Sequence, residues 1–208
     1  MLPELLSHGG AMMWLLLFIG AVAAAVFIER VLHYHREQIN SVEFLTGVRN
    51  VLRRDNVVEA ISICDATAGP VARLVKAAIL NRDRGRDGIR EALEEAGLVE
   101  VPRLEQRLNL LGTIAQIGPI LGLLGTVLGF ISVFRVLQTQ GVSAPPGVLA
   151  EGVWQALVCT GAGLAIAAPA YAGYNYLVSR VNHIVTDMEK ASAEILNLLA
   201  EYRNGRSE

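Results

Sequence analysis

Charge is what this sequence has least of, and it is missing in blocks. Residues 5–28, 108–134 and 152–179 contain no Asp, Glu, Lys or Arg. Each block exceeds the roughly 20 residues a helix needs to cross a hydrocarbon core of about 30 Å. With 52% of the chain hydrophobic and 18% charged, an ordinary soluble domain is excluded. Three transmembrane helices are expected, at 10–32, 108–137 and 150–177. Cysteine is scarce as well. Cys64 and Cys159 fall in different segments and cannot make a disulfide framework, and each reads as a small packing residue rather than a nucleophile. The four histidines, His8, His33, His35 and His183, lie scattered near predicted membrane edges without metal-ligand spacing. No grouping of nucleophile, base or metal ligands emerges, so neither an enzyme, a metal site nor a cofactor is expected. A net charge of −2, with acids and bases interleaved, gives no case for nucleic acid.

The basic residues that are present have a one-sided distribution. Of the eighteen Lys and Arg, all but Arg135 lie at residue 30, between 36 and 107, or after 179. By the positive-inside rule this predicts an outward-facing N-terminus over 1–9, a cytoplasmic segment over 33–107, a short outer loop over 138–149 and a cytoplasmic tail over 178–208. The first span does not read as a cleaved signal peptide, because no basic residue precedes it and no cleavage pattern follows.

The fold class is therefore an all-α membrane protein with a cytoplasmic helical domain. Residues 41–67 carry apolar residues at 3–4 spacing, with Asp55 as the expected cap of a second helix. Gly69–Pro70 breaks the pattern. A third amphipathic piece ends at Gly85, and a fourth is expected to run through Pro102 into the second span. After the third span, Val178, Val181, Val185, Met188, Ser192, Ile195, Leu199 and Tyr202 keep the same period with no breaker before Arg203. The third helix should extend into the cytoplasm by about 25 residues, some 37 Å at 1.5 Å per residue. Its apolar stripe must be buried, either by the 33–107 helices or by other copies of itself.

Inside the spans, small residues form faces. Gly118, Gly122, Gly125 and Gly129 recur at i, i+4, i+7 and i+11, a stripe that lets helix backbones approach closely in lipid. Thr126 lies beside it. In the third span Ala156, Thr160, Gly163 and Ala167 share a face. Three helices of one chain have little need for two such faces, so an oligomer around a shared axis is expected to use both. Pro119 and Pro169 interrupt the backbone hydrogen bonds of their helices, which is tolerated where a hydroxyl, a neighbouring helix or water serves the freed carbonyl. No carboxylate or basic group lies at depth, although proton and ion routes usually carry one. The polar candidates are Thr126, Thr160 and Gln155, with Glu151 near the outer mouth. If protons move, the titrating group belongs to a partner.

The stretches LEQRLNLLGTIAQIGPILGLLGTVLGFISVF (104–134) and LAEGVWQALVCTGAGLAIAAPAYAGYN (149–175) resemble the MotA/TolQ/ExbB proton-channel family, nearest its ExbB and TolQ branch. The segment EAISICDATAGPVARLVKAAI resembles that branch's cytoplasmic loop. The resemblance implies a multi-pass subunit of the bacterial inner membrane, a homo-oligomer (a pentamer) in contact with lipid. It would surround a dimer of a single-span ExbD- or TolR-like partner whose helix carries a proton-binding Asp, with a TonB- or TolA-like protein beyond. The coupling ion would be the proton, and the pore-lining Thr positions of the family map onto Thr126 and Thr160. One departure stands out. The branch commonly has Glu five residues before the third-helix Thr, and this chain has Gln155, which cannot titrate. Glu151, one turn outward, is the nearest acid. Three spans rather than four argue against a flagellar stator subunit. The competing expectation is a non-conducting membrane scaffold held together by its glycine faces.

Overall fold

A computed structural model describes residues 10–37, 40–141 and 145–204. Among these residues all regular structure is helical: α1 (Gly10–Glu37), α2 (Ser41–Leu52), α3 (Val57–Ala66), α4 (Pro70–Leu80), a 3-10 turn at Arg82–Arg84, α5 (Gly85–Glu105), α6 (Leu108–Gln140) and α7 (Pro146–Asn204). The expected segments 1–9 and 205–208, and the middle of the outer loop, lie outside the described residues. Three of the helices are long and apolar enough to cross a membrane, in agreement with the three charge-free blocks. The chain divides into two compact units. One holds the residues up to Glu29 with Arg107–Leu177, and the other holds Arg30–Gln106 with the residues from Val178 onward.

In the second unit, α2 and α3 start in the same way. Asn40 accepts a hydrogen bond from the Glu43 backbone N–H at 3.4 Å, and Asn56 accepts one from Glu59 N–H at 3.3 Å. Each Asn also donates from Nδ2 to the carboxylate of its Glu, which steadies the capping side chain. Asp55 is thus not the cap. It takes a left-handed turn conformation, φ 57°, which Asp tolerates better than most residues, and leaves capping to Asn56. Pro70 opens α4, where its missing N–H costs nothing.

The fourth amphipathic piece does run through Pro102, but it does not continue into the second span. Gln106 is extended and Arg107 is left-handed at φ 67°, so the helix breaks there and α6 starts afresh. No Gly or Pro marks the break. Instead the Arg107 guanidinium pairs with Glu29 of α1. Glu29 is half-exposed, while the next residue, Arg30, is buried.

An ionic cluster centred on the buried Glu100 ties helices of the second unit together. Glu100, only 4% exposed, accepts hydrogen bonds from Arg73 Nε at 2.8 Å and Arg103 Nη1 at 2.9 Å. Arg73 Nη2 also reaches Glu37 at 3.1 Å. Nearby the Tyr34 hydroxyl donates to the Leu104 carbonyl at 2.6 Å, tying the end of α1 to α5.

Helix α7 passes through Pro169 without a break and runs to Asn204. From Leu177 onward its buried residues are Leu177, Val181, Ile184, Met188, Ala191, Ile195 and Leu199, a 4-3-4-3-4-4 spacing close to the coiled-coil type. Val178, Val185 and Ser192 of the expected stripe are only half-buried, because 3-4 spacing fits two neighbouring faces and the larger set won. Within the second unit this stripe is covered by the chain's own helices. Arg49 of α2 pairs with Glu194, and Leu52 lies against Leu198 and Leu199.

Candidate functional site

The first unit is built on the contact between α6 and the N-terminal half of α7. All four glycines of the α6 stripe are buried. A Cβ placed on Gly122 would come 3.1 Å from the Cys159 carbonyl and 3.2 Å from the Thr160 and Gly163 Cα atoms. One on Gly118 would meet Ala167 at 3.2 Å, and one on Gly129 would meet Ala156 Cβ at 2.8 Å. Gly163 answers from α7: its Cβ would lie 2.7 Å from the Gly118 carbonyl oxygen. Gly125 packs on Cys159. The two small-residue faces therefore serve each other within one chain. The expectation that only an oligomer would use both is corrected, because a helix hairpin this tight needs a smooth face on each side.

Thr126 and Thr160 meet in this seam. Their hydroxyls are hydrogen-bonded to one another, and each also faces two helix carbonyls. Thr126 Oγ1 lies 3.4 Å from Gly122 O on its own helix and 3.3 Å from Ala156 O across the seam. Thr160 Oγ1 lies 3.4 Å from Ala156 O on its own helix and 3.3 Å from Gly122 O. The arrangement is nearly symmetric: two hydroxyls and two carbonyls, each hydroxyl able to serve as donor or acceptor. Two protons are shared among four oxygens, so lone pairs remain for an added proton donor. Both threonines are only half-buried, which leaves the cluster within reach of a side chain from outside the pair.

Gln155 and Glu151 do not join them. Gln155 lies five residues before Thr160, about 140° round α7 at 100° per residue. It is half-buried and Glu151 is exposed. The four residues nominated from the sequence thus separate into a hydroxyl pair in the seam and an amide and an acid nearer the N-terminus of α7, on another side of that helix. Pro119 and Pro169 both lie inside continuous helices. Pro169 borders a crevice of about 330 Å³ lined by Gly20, Ala24, Phe27, Leu111 and Ile166, which has no polar side chain to hold water.

Two residues were not anticipated. Ser132 on α6, an exposed residue, donates its hydroxyl back to the Gly129 carbonyl beside Gly152 of α7. Glu100 is the buried centre of the ionic cluster of the second unit. Cys64 is buried, and burial with the nearby Asp65 carboxylate pushes its thiol up to about 11, so it is no nucleophile near neutral pH. Among the described residues no group of His, Cys, Asp and Glu could hold a metal ion.

Three helices with long charge-free stretches and a glycine-lined hairpin mark a polytopic membrane protein. Residues 66–190 match the MotA/TolQ/ExbB proton channel family, and the chain belongs to that family. It is 29% identical over 188 residues to a putative biopolymer transport protein ExbB homolog of Methanothermobacter thermautotrophicus, covering 89% of this chain and 66% of that one. It is 32% identical over 183 residues to a putative biopolymer transport protein, ExbB-like 1, of Synechocystis, covering 85% and 72%. The Tol-Pal system protein TolQ of Haemophilus influenzae is 34% identical over 120 residues, covering 58% and 52%. The chain thus spans a little under two thirds of the archaeal relative and about half of the TolQ protein.

Proposed function

We propose that this chain is an ExbB/TolQ-like subunit of an inner-membrane proton-channel motor that turns proton motive force into mechanical work on periplasmic or outer-membrane partners. The work would be TonB-dependent import or Tol-like envelope maintenance. The observation that carries the reading is the Thr126–Thr160 pair, a polar notch at mid-span in a seam that contains no charged residue. The subunit would assemble as a pentamer around a single-span partner dimer, with its N-terminus periplasmic and its C-terminus cytoplasmic. It is not an enzyme and uses no cofactor other than the coupling proton.

A carboxylate on the partner's helix would be the proton carrier. Burial at depth favours its neutral form, and a hydroxyl pair that can donate to it stabilises the charged one. Alternation between apolar surroundings and the notch would then couple protonation to movement of the partner helix. Each proton would deliver about 2.3 kcal/mol per 100 mV of membrane potential, plus the pH term. With Gln155 in place of the branch's Glu, no second acid competes for the proton at that position.

A second reading has its own support. Because the glycine faces satisfy each other inside one chain, the hairpin also suits a non-conducting scaffold for cytoplasmic or periplasmic partners. Proton flux separates the two. In liposomes holding the complex extracted from its own membrane, Thr126→Val and Thr160→Val should each lower acid-driven proton uptake about tenfold or more, the worth of a hydrogen bond to a charged group, while assembly persists. Uptake unchanged in both variants would leave the scaffold.

A further inference from the structure

We infer that Leu98 of one copy of this chain seats in the α5–α7 groove of the next copy, over Gly97; this rests on the homo-oligomer of the reading above and not on proton conduction. The groove measures about 680 Å³ and lies wholly within the second unit. Its floor is apolar, made by Leu74 of α4, Leu93 and Val101 of α5, and Val185, Met188 and Leu196 of α7. Ser192 also lines it, but its hydroxyl donates back to the Met188 carbonyl at 2.8 Å and asks for no ligand. The rim is mixed, with Arg86 and Arg90 against Asp87, Glu94 and Glu189. An apolar floor under a balanced rim suits an apolar side chain of a protein better than a polyanion.

Gly97 is the residue that packing within one chain does not explain. It lies inside α5, half-buried in the groove wall, where glycine is destabilising relative to alanine. A Cβ added at Gly97 would meet no atom within 4 Å, whereas one at any glycine of the α6 stripe would meet a neighbour at 3.2 Å or less. The space over Gly97 is therefore left for something outside the chain. The next residue has the matching shape. Leu98 is 77% exposed, the most exposed large apolar side chain among the described residues. It lies about 100° round the helix from Gly97, with Pro102 about 40° further, so it faces away from the groove of its own chain. Glu94 and Glu95 stand four and three residues before it on neighbouring positions, and an anionic membrane surface would repel such a face. Knob and hole thus sit side by side on one helix and point in different directions. A pair of this kind joins copies head to tail, each giving Leu98 to the next, and closes into a ring where the rotation closes. With copies related by rotation about an axis along α5, each residue keeps its level. Leu98 then meets Gly97 and Val101 of the next copy within one helical turn.

The test is disulfide cross-linking of the full chain in its own membrane, with copper-phenanthroline as oxidant. Leu98→Cys combined with Glu189→Cys on the α7 rim should give covalent dimers and a ladder of higher species, because every chain carries one knob and one groove. Leu98→Cys with Ala193→Cys, also in the groove wall, should do the same and guards against one pair folding poorly. Leu98→Cys alone should give no ladder, since a head-to-tail contact never brings two copies of residue 98 together. Gly97→Leu fills the groove without a clash in its own chain, and in that background the paired ladder should be lost. A ladder undiminished by Gly97→Leu, or dimers from Leu98→Cys alone as abundant as from the pairs, would overturn the contact. An oligomer by native mass spectrometry with no ladder from either pair would overturn it too and leave the oligomer standing. A chain that emerges as single copies would bring down the oligomer reading itself.

Discussion

Single atoms decide how closely α6 and α7 approach. A methyl group on Gly163 would run into the Gly118 carbonyl and the Gly122 Cα, both backbone atoms that cannot turn aside. Gly163→Ala should therefore destabilise the hairpin by about 1–3 kcal/mol, read as a lower melting temperature in detergent. The glycine and threonine positions were legible in the sequence because their spacing is helical and their chemistry unusual for a span. Glu100 was not, since its partner Arg73 lies 27 residues away in the chain. Glu100→Ala leaves Arg73 and Arg103, both substantially exposed, to water and should cost about 1–2 kcal/mol, visible in chemical denaturation. Cys64 adds a pH dependence. Its folded thiol titrates near 11, above the usual 9.0, so burial favours the protonated form. That stabilisation is whole below pH 9 and is lost as pH rises towards 11. Stability measured from pH 8 to 11 should fall, and Cys64→Ala should flatten this part of the curve.

At the scale of elements, α7 shows what periodicity can and cannot give. Its length was readable, because no breaker interrupts the run to Arg203 and a proline inside a membrane helix is tolerated. Its buried face was half right. Val181, Met188, Ile195 and Leu199 are buried as expected, while Leu177, Ile184 and Ala191 replaced their neighbours. A 3.6-residue turn makes adjacent positions near-equivalent, and only packing against α2, α4 and α5 chooses between them. Ile195, fully buried, tests the choice: Ile195→Ala should cost about 2–4 kcal/mol, whereas the half-buried Val185→Ala should cost clearly less. The break at Arg107 was not legible, because a left-handed Arg held by Glu29 on a different helix leaves no local mark.

For the molecule as a whole, the missing charges were the strongest signal. They located three helices long and apolar enough to cross a membrane before any contact was known. What a single chain cannot encode is the proton carrier. Its own spans hold no acid at depth, so the motor account requires one from outside. The direct measurement is extraction from native membranes in mild detergent, followed by mass spectrometry of the purified complex. The account predicts a co-purifying single-span protein with one intramembrane carboxylate, present in fewer copies than this chain. A chain that emerges as a stable assembly of itself alone, under several gentle conditions, would contradict it.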